Sequence, residues 1–376
     1  MNKKKKKVAI LTYHASHNYG SCLQAYALQK VISGFGFQTE IINFRTKRQK
    51  DMYSIFTKRN GLRYFLKNVT HFLFYFPLKK KWARFEDFIE KSYVLSKQEM
   101  CDIEELKKAE FDYDYYVAGS DQIWNPLPID FDWAYFLTFV KRGKKIAYAP
   151  SFGPFFGGGD NEILVQMVSE IEKFSSVSVR ESSAKKTLEL YTDKKIEVVL
   201  DPTLLLRKDK WIELIDSKPI EKGSYILLYT LFSSPEVNKI AKIISKKLKM
   251  KVVVTNFTNQ YDVITSYKKR FDVGPKEFLN LVYNAKLVLV TSFHGTVFSI
   301  LFERPFFAIG GDNDNRISNL LKKIGLENRT IDCQNIEDKI KDIFNINFEE
   351  ANRILEQERE KSRDYLLKAM EDEDEF

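Results

Sequence analysis

Three basic residues stand where apolar runs give way to polar sequence, and each is of a type that binds or protonates anions. His294 follows an apolar run in "LVLVTSFHGTVFSIL", with Ser292 placed to cap a helix and the histidine in that helix's first turn. A helix N-terminus lowers a histidine's pKa, unless an anion shares the site and raises it. A bound phosphate or carboxylate would thus make His294 a proton donor, and Gly295 would let a ligand approach the backbone. Arg180 ends the run "SVSVR", ahead of a helix for which Ser182 is a candidate cap. A guanidinium fork beside free backbone N–H groups suits phosphate or carboxylate. Arg316, in "GGDNDNRIS", follows the run "PFFAI" in the same way. Plainer roles are open to the same residues: a capping or packing role for His294, and an ordinary salt bridge to Glu181 or Asp201 for Arg180.

Such residues act together only if strands and helices bring them to one edge. Short β-rich runs alternate with helical patterns, as in doubly wound parallel sheets. Strands are predicted over 7–14, 38–44, 112–120, 144–153, 176–180 and 196–202, with a helix from Cys22 after the first. The cycle restarts after Pro202, with strands over 224–230, 251–256, 286–292 and 305–311. Ser234 and Pro235 mark one helix start. The expected fold is α/β: two Rossmann-like domains facing a cleft. The expected divisions are 1–205, 206–345 and a C-terminal helix with acidic tail over 346–376.

One stretch breaks the rhythm. Residues 46–95, with "RYFLKNVTHFLFYFPLKKKWARFEDF", are aromatic and basic and show no strand period. They read either as helices covering the N-terminal sheet or as a surface resting on anionic lipid.

Composition narrows the classes further. The 14% aromatic content argues for a folded chain. Three scattered cysteines give neither a disulfide framework nor a metal cluster, and no CxxC or HExxH spacing occurs. The net charge of +9 favours anionic partners without choosing among them, and no nucleic-acid module is present. Neither GxxxxGK[ST] nor GxGxxG appears, and "GPFFGGGD" (153–160) reads as a flexible loop more readily than as a phosphate cradle. The apolar part of the basic start, Val8 to Leu11, is too short for a secretory leader, and no window reaches spanning length. The expected location is cytoplasmic, with peripheral contact at the inner membrane face as a further expectation.

From about Lys7 to Leu326 the chain resembles the polysaccharide pyruvyltransferase family. The resemblance rests on "NYGSCLQAYAL", "FDYDYYVAGSDQIWNP", "SVSVRESSA", "VVLDPTLL" and "SFHGTVFSILFERPFFAI", in that order. It implies a fold similar to the B-type glycosyltransferase fold, and transfer of a pyruvyl group from phosphoenolpyruvate to a sugar of a cell-surface polysaccharide precursor, forming a cyclic ketal. It also implies no metal and no cofactor beyond that donor substrate, and an acceptor carried on a nucleotide or lipid diphosphate. The family's arginine maps to Arg180 and its histidine to His294. Its usual lysine after the next strand finds Arg316 as nearest match, and arginine is no proton donor. Asn18, Tyr19, Gly20, Ser120, Asp121 and Gln122 are candidates for acceptor contacts; Asp121 is a candidate base or a helix cap. Two rival functions remain: a nucleotide-sugar glycosyltransferase of similar fold, and a non-catalytic protein binding a phospho-ligand or polysaccharide.

Overall fold

Strands buried on both faces need helices above and below them, and the apolar runs here meet that condition. Tyr115–Gly119 and Leu287–Val290 are buried at every position. The computed structural model describes residues 5–128, 130–153, 161–231, 234–256 and 265–371. The "GPFFGGGD" stretch beyond Gly153 and residues 372–376 of the acidic tail lie outside the described residues.

The described chain divides into two compact units. The first comprises Met1–Tyr53, Ile89–Leu206 and Glu356–Phe376, and the second Ser54–Phe88 and Arg207–Leu355. In the first unit the strands are β1 (Lys7–Leu11), β2 (Gln38–Ile41), β3 (Tyr115–Gly119), β4 (Lys144–Tyr148), β5 (Ser176–Val179) and β6 (Ile196–Val198). All pair in parallel in the order β2-β1-β3-β4-β5-β6. The second unit holds β7 (Tyr225–Tyr229), β8 (Lys251–Val254), β9 (Lys268–Lys269), β10 (Leu287–Val290), β11 (Phe306–Ile309) and β12 (Thr330–Ile331). Its parallel order is β12-β11-β10-β7-β8-β9.

Both orders reverse direction beside the first strand of the unit. The switch lies between β1 and β3 in one sheet and between β7 and β10 in the other. Ligands of open α/β sheets gather beyond the carboxyl ends of the strands at such points.

Helix starts follow local chemistry. Helix α1 (Tyr19–Gly34) begins three residues before Cys22, because the Asn18 side chain accepts from the amides of Gly20 and Ser21. Strand β1 correspondingly stops at Leu11, so Thr12 to His14 lie beyond its carboxyl end. Two amphipathic helices, α2 (Leu62–Leu73) and α3 (Tyr75–Ser92), form the aromatic and basic insertion. Helix α4 is Ser182–Leu188, α5 is Pro202–Leu205 and α6 is Pro235–Leu248, the last capped by Ser234. Helices α7 (Pro275–Asn284), α8 (Phe293–Leu301) and α9 (Asn315–Lys323) follow, and α10 (Phe348–Glu371) closes the described chain.

Two expectations are corrected. The insertion is not one cover for the N-terminal sheet: 54–88 belong to the second unit, where Phe74 and Leu78 pack on the core and Phe74 meets Phe271 edge-on at 5.4 Å, while 46–53 and 89–95 belong to the first. Polar contacts fix that choice. Arg84 Nη1 donates to the Asp272 carbonyl at 2.6 Å, and its Nε lies 3.0 Å from Glu277. Nor is the C-terminal helix an appendage. Leu200 N donates to Ser362 Oγ at 3.0 Å, and Arg359 Nε donates to the Leu204 carbonyl at 2.7 Å, both within the first unit.

At the β10–α8 turn, helix and strands are in close contact at Gly295. A Cβ there would stand 2.7 Å from Val290 Cγ1 and 2.8 Å from Tyr229 Cδ1, on the two central strands of the sheet. The glycine is therefore required by packing, which a reading based on ligand approach did not foresee. Gly295→Ala is expected to destabilise the protein by about 1–3 kcal/mol, the usual range for overpacking. Urea unfolding checks this, and an unchanged midpoint would return the glycine to a ligand role.

Candidate functional site

In the first unit a chain of hydrogen bonds joins the ends of β1, β3, β5 and β6. Thr12 Oγ1 donates to the Ser120 carbonyl at 3.3 Å and accepts from Gln24 Nε2 at 2.8 Å. Ser21 Oγ, in the first turn of α1, donates to Asp121 Oδ2 at 2.5 Å. Ser120 Oγ donates to Asp201 Oδ2 at 3.1 Å, and Arg180 Nη1 donates to the same oxygen at 2.7 Å. Arg180 Nε donates to Glu181 Oε1 at 3.2 Å. The network thus brings together the helix start after Asn18, Ser120, Asp121 and Arg180.

These partners define what each residue does. The Arg180 side chain is 3% exposed and held by both carboxylates that its plainer reading named. Burial lowers its pKa, but the charges of Glu181 and Asp201 more than offset that, so it stays above its ordinary value. Ser182 is not the cap of α4; Glu181 occupies that position and makes no capping bond with its side chain. Asn18 spends its side-chain oxygen on capping, and Tyr19 and Gly20 are buried within α1. Asp121 caps no helix: its Oδ1 accepts from the Gln122 amide at 2.9 Å. Gln122 Oε1 accepts from Asn125 Nδ2 at 2.7 Å. Ser120 and Asp121 both take positive φ, 30° and 61°, a strained pair at the switch point.

Two neighbours escaped the sequence reading. Asp130 is 7% exposed, and burial, with the Asp121 charge adding, raises its pKa to about 6. Tyr13 is 5% exposed, and among the described residues its hydroxyl has no hydrogen-bond partner. Burial holds its pKa well above the ordinary value, with Tyr135, Asp130 and Asp121 contributing. Both sit directly after recognisable features, β1 and the "DQIWNP" segment, but nothing local marks them as neighbours. His14, by contrast, is structural: its ring contacts the Thr12 carbonyl and Asn43 Oδ1, and burial lowers its pKa to about 4.

In the second unit His294 lies in the first turn of α8, beyond β10 at the switch point, and is 7% exposed. Ser292 caps this helix, accepting from the Gly295 amide at 3.5 Å. The ends of β7 and β10 are tied by Leu231 N, which donates to Thr291 Oγ1 at 3.1 Å. On the other side of β7, Asn256 Nδ2 donates to the Thr230 carbonyl at 3.1 Å. Lys81 Nζ, on α3, donates to Asn256 Oδ1 at 3.1 Å, and burial lowers its pKa to about 8. The insertion therefore delivers an ammonium group to the carboxyl edge where His294 stands. One lysine in a run of three gave no sign of this, because its partner is 175 residues away.

Arg316 follows β11, as the sequence suggested, in the first turn of α9. Its fork is closed on its own helix cap: Nε and Nη2 donate to the two oxygens of Asp314 at 2.9 and 2.6 Å. Among the described residues no group of three His, Cys, Asp or Glu side chains is placed to hold a metal ion.

A family model described as polysaccharide pyruvyl transferase matches residues 18–313. The match spans Asn18, Asp121, Arg180 and His294 and stops just short of Arg316. No curated protein matches by sequence. Among solved structures, UDP-GlcNAc 2-epimerase from Neisseria meningitidis bound to UDP-GlcNAc is 10% identical, with a TM-score of 0.53 over 96% of this chain and 100% of that one. UDP-GlcNAc 2-epimerase from Methanocaldococcus jannaschii is 13% identical, with a TM-score of 0.50 over 94% and 99% of the two chains. A putative UDP-N-acetylglucosamine 2-epimerase from Listeria monocytogenes is 10% identical, with a TM-score of 0.50 over 94% and 91%. At such identity the likeness concerns the fold, two parallel α/β units of the B-type glycosyltransferase kind.

Two outcomes follow from the first-unit network. Arg180→Met leaves Asp201 and Glu181 buried without their cation, and is expected to cost about 3–5 kcal/mol in urea unfolding. A variant of wild-type stability would show that the arginine has no structural role. For Asp130, a raised folded-state pKa means that the folded protein binds the proton more tightly than the unfolded chain. The resulting stability is present below the unfolded value near 4 and is lost as pH rises through about 6. Asp130→Asn should therefore gain about 2–3 kcal/mol relative to wild type between pH 4 and pH 8. A pH-independent difference would contradict the assigned burial.

Proposed function

Because the chain belongs to the polysaccharide pyruvyl transferase family, we propose that it moves a pyruvyl group from phosphoenolpyruvate onto two hydroxyls of one sugar in a cell-surface polysaccharide precursor. The observation that carries this reading is His294, inside the family match and in the first turn of a buried helix at the second sheet's switch point. A trianionic donor suits that position, since helix N–H groups and an ammonium on the same sheet edge both favour negative charge.

The chemistry requires a proton at the methylene carbon of phosphoenolpyruvate, which leaves C2 electrophilic. His294 supplies that proton as general acid. One sugar hydroxyl adds to C2 and gives up its proton to a carboxylate. The second hydroxyl then displaces phosphate from C2, closing the ketal; its proton departs to solvent or phosphate. Lys81 and Arg316 serve the donor's phosphate and carboxylate, with Asp314 yielding its hold on Arg316 as the anion binds. Arg180 acts mainly by holding Asp201 and Ser120 in place. In the first unit Asp121, with Asp130 and Tyr13 buried close by, offers a contact for sugar hydroxyl groups. The acceptor carries a nucleotide or lipid diphosphate, and the reaction uses no metal or organic cofactor.

Thermal-shift titration and phosphate release test the reading together. Phosphoenolpyruvate should raise the melting temperature of the wild type. His294→Ala should keep its fold and lose about 10²–10⁴ in phosphate release with a panel of nucleotide- and lipid-diphosphate-linked sugars. Near wild-type turnover in that variant removes the histidine from the mechanism. Stabilisation by UDP- or GDP-sugars with no response to phosphoenolpyruvate would favour a glycosyltransferase instead.

A further inference from the structure

From helix α2 and the start of α3, we infer that this face is a docking surface for an anionic lipid bilayer. Helix α2 is turned inside out relative to an ordinary surface helix. Its protein-facing side is polar: Asn68 exchanges hydrogen bonds with the backbone of Thr57 at 2.9 and 3.0 Å, and His71 Nδ1 meets the Ile55 carbonyl at 2.5 Å. The outward side carries Leu62, Phe65, Leu66, Val69, Phe72 and Leu73, and Phe76 follows at the start of α3, all exposed. Leu62 is 75% exposed, Phe72 72% and Phe76 82%. A spacing of three and four residues puts the α2 members in one stripe. Monomeric proteins rarely leave a contiguous apolar patch of this kind in water.

Charge selects the occupant. Residues 52–85 contain eight Lys and Arg and no Asp or Glu. Within this segment Lys58, Arg59, Lys67 and Lys79 are exposed, Lys67 on α2 itself. Lys81 and Arg84, by contrast, turn toward Asn256 and Asp272. An apolar stripe rimmed by lysine and arginine matches the boundary between acyl chains and anionic headgroups. A second copy of this chain is a poor occupant, because a two-fold interface would set this carboxylate-free cationic segment against itself. Helix α2, at 12 residues, is too short to span a bilayer and would lie in its plane. Among the described residues no helix is long and apolar enough to cross a membrane.

The test is co-flotation with vesicles of phosphatidylcholine alone or with a quarter phosphatidylglycerol, at low salt, followed by light scattering of the free protein. Wild type should float with the anionic vesicles and much less with the neutral ones. Phe65→Ser/Phe72→Ser/Phe76→Ser should reduce the bound fraction at least tenfold. Lys58→Glu/Arg59→Glu/Lys67→Glu/Lys79→Glu should do the same on anionic vesicles, at roughly fivefold per cation removed. These residues lie outside the proposed reaction machinery, so both variants should keep the wild-type melting temperature and its shift with phosphoenolpyruvate. Absence of flotation by the wild type overturns the inference, as does flotation that neither variant weakens. A wild-type dimer that the serine variant converts to monomer, without vesicle binding, assigns the stripe to self-association and also overturns it. Flotation requires no turnover, so a failure here leaves the proposed reaction standing, and the reverse holds too.

Discussion

The carboxylate of Asp201 governs the first unit's functional edge. Its Oδ2 accepts from Arg180 and from Ser120, while its Oδ1 accepts from the amide and hydroxyl of Thr203 at the start of α5. One buried group thus ties the ends of β3 and β5 to the helix after β6. Such a carboxylate is stable without water only when charge-paired and hydrogen-bonded on both oxygens, and here it is. The consequence reaches the next residue. With Ser120 held at positive φ from both its hydroxyl and its carbonyl, Asp121 is turned toward Ser21 and the switch point. Removing any member would free a strained turn as well as a bond.

In the second sheet the turn that carries His294 is fixed by neutral groups. Around His294 the turn is fixed by a serine cap, a threonine tie to β7 and a glycine pressed against two strands. Cationic groups reach this edge from elsewhere: Lys81 from the insertion, and Arg316 from the turn after β11. The two edges therefore differ in electrostatic character. In the first, Arg180 is matched by two carboxylates, and further acids lie close by. That composition suits neutral hydroxyl groups and proton acceptance. In the second, an ammonium shifted toward neutrality gains most from an incoming anion, which would restore its charge.

What the sequence disclosed follows from the range of the interactions involved. Helix starts at Ser234 and Ser292 were legible because capping is settled within three residues. The two possible partners of Arg180 were legible because Glu181 is adjacent and Asp201 begins the next helix; that both engage at once required the parallel pairing of β5 with β6. Asn18 was noticed, but as a contact, and its capping bonds moved the helix start to Tyr19. Gly295 was assigned to ligand approach because sequence carries no image of Val290 and Tyr229 closing on it. Asp130 and Tyr13 were missed for the same reason. Their altered titration arises from burial among residues far apart in sequence, which no spacing rule reports.

The insertion shows this limit most plainly. Its composition allowed either a cover for a sheet or a surface for lipid, and the structure packs one part of it on the second unit's core and leaves an apolar face exposed. Phe74 and Leu78 enter the second core, and Lys81 and Arg84 reach polar partners there, while the α2 stripe faces outward. A helix that only covered a sheet would place its apolar residues inward and its lysines in water. Here Asn68 and His71 take the inner side and six large apolar residues the outer one. Polar inner contacts satisfy the backbone of 55–57 but bury little apolar area, so they give the helix small hydrophobic stabilisation of its own. The bilayer contact proposed above would cover that outer face, and the surrounding cations favour a surface of opposite charge.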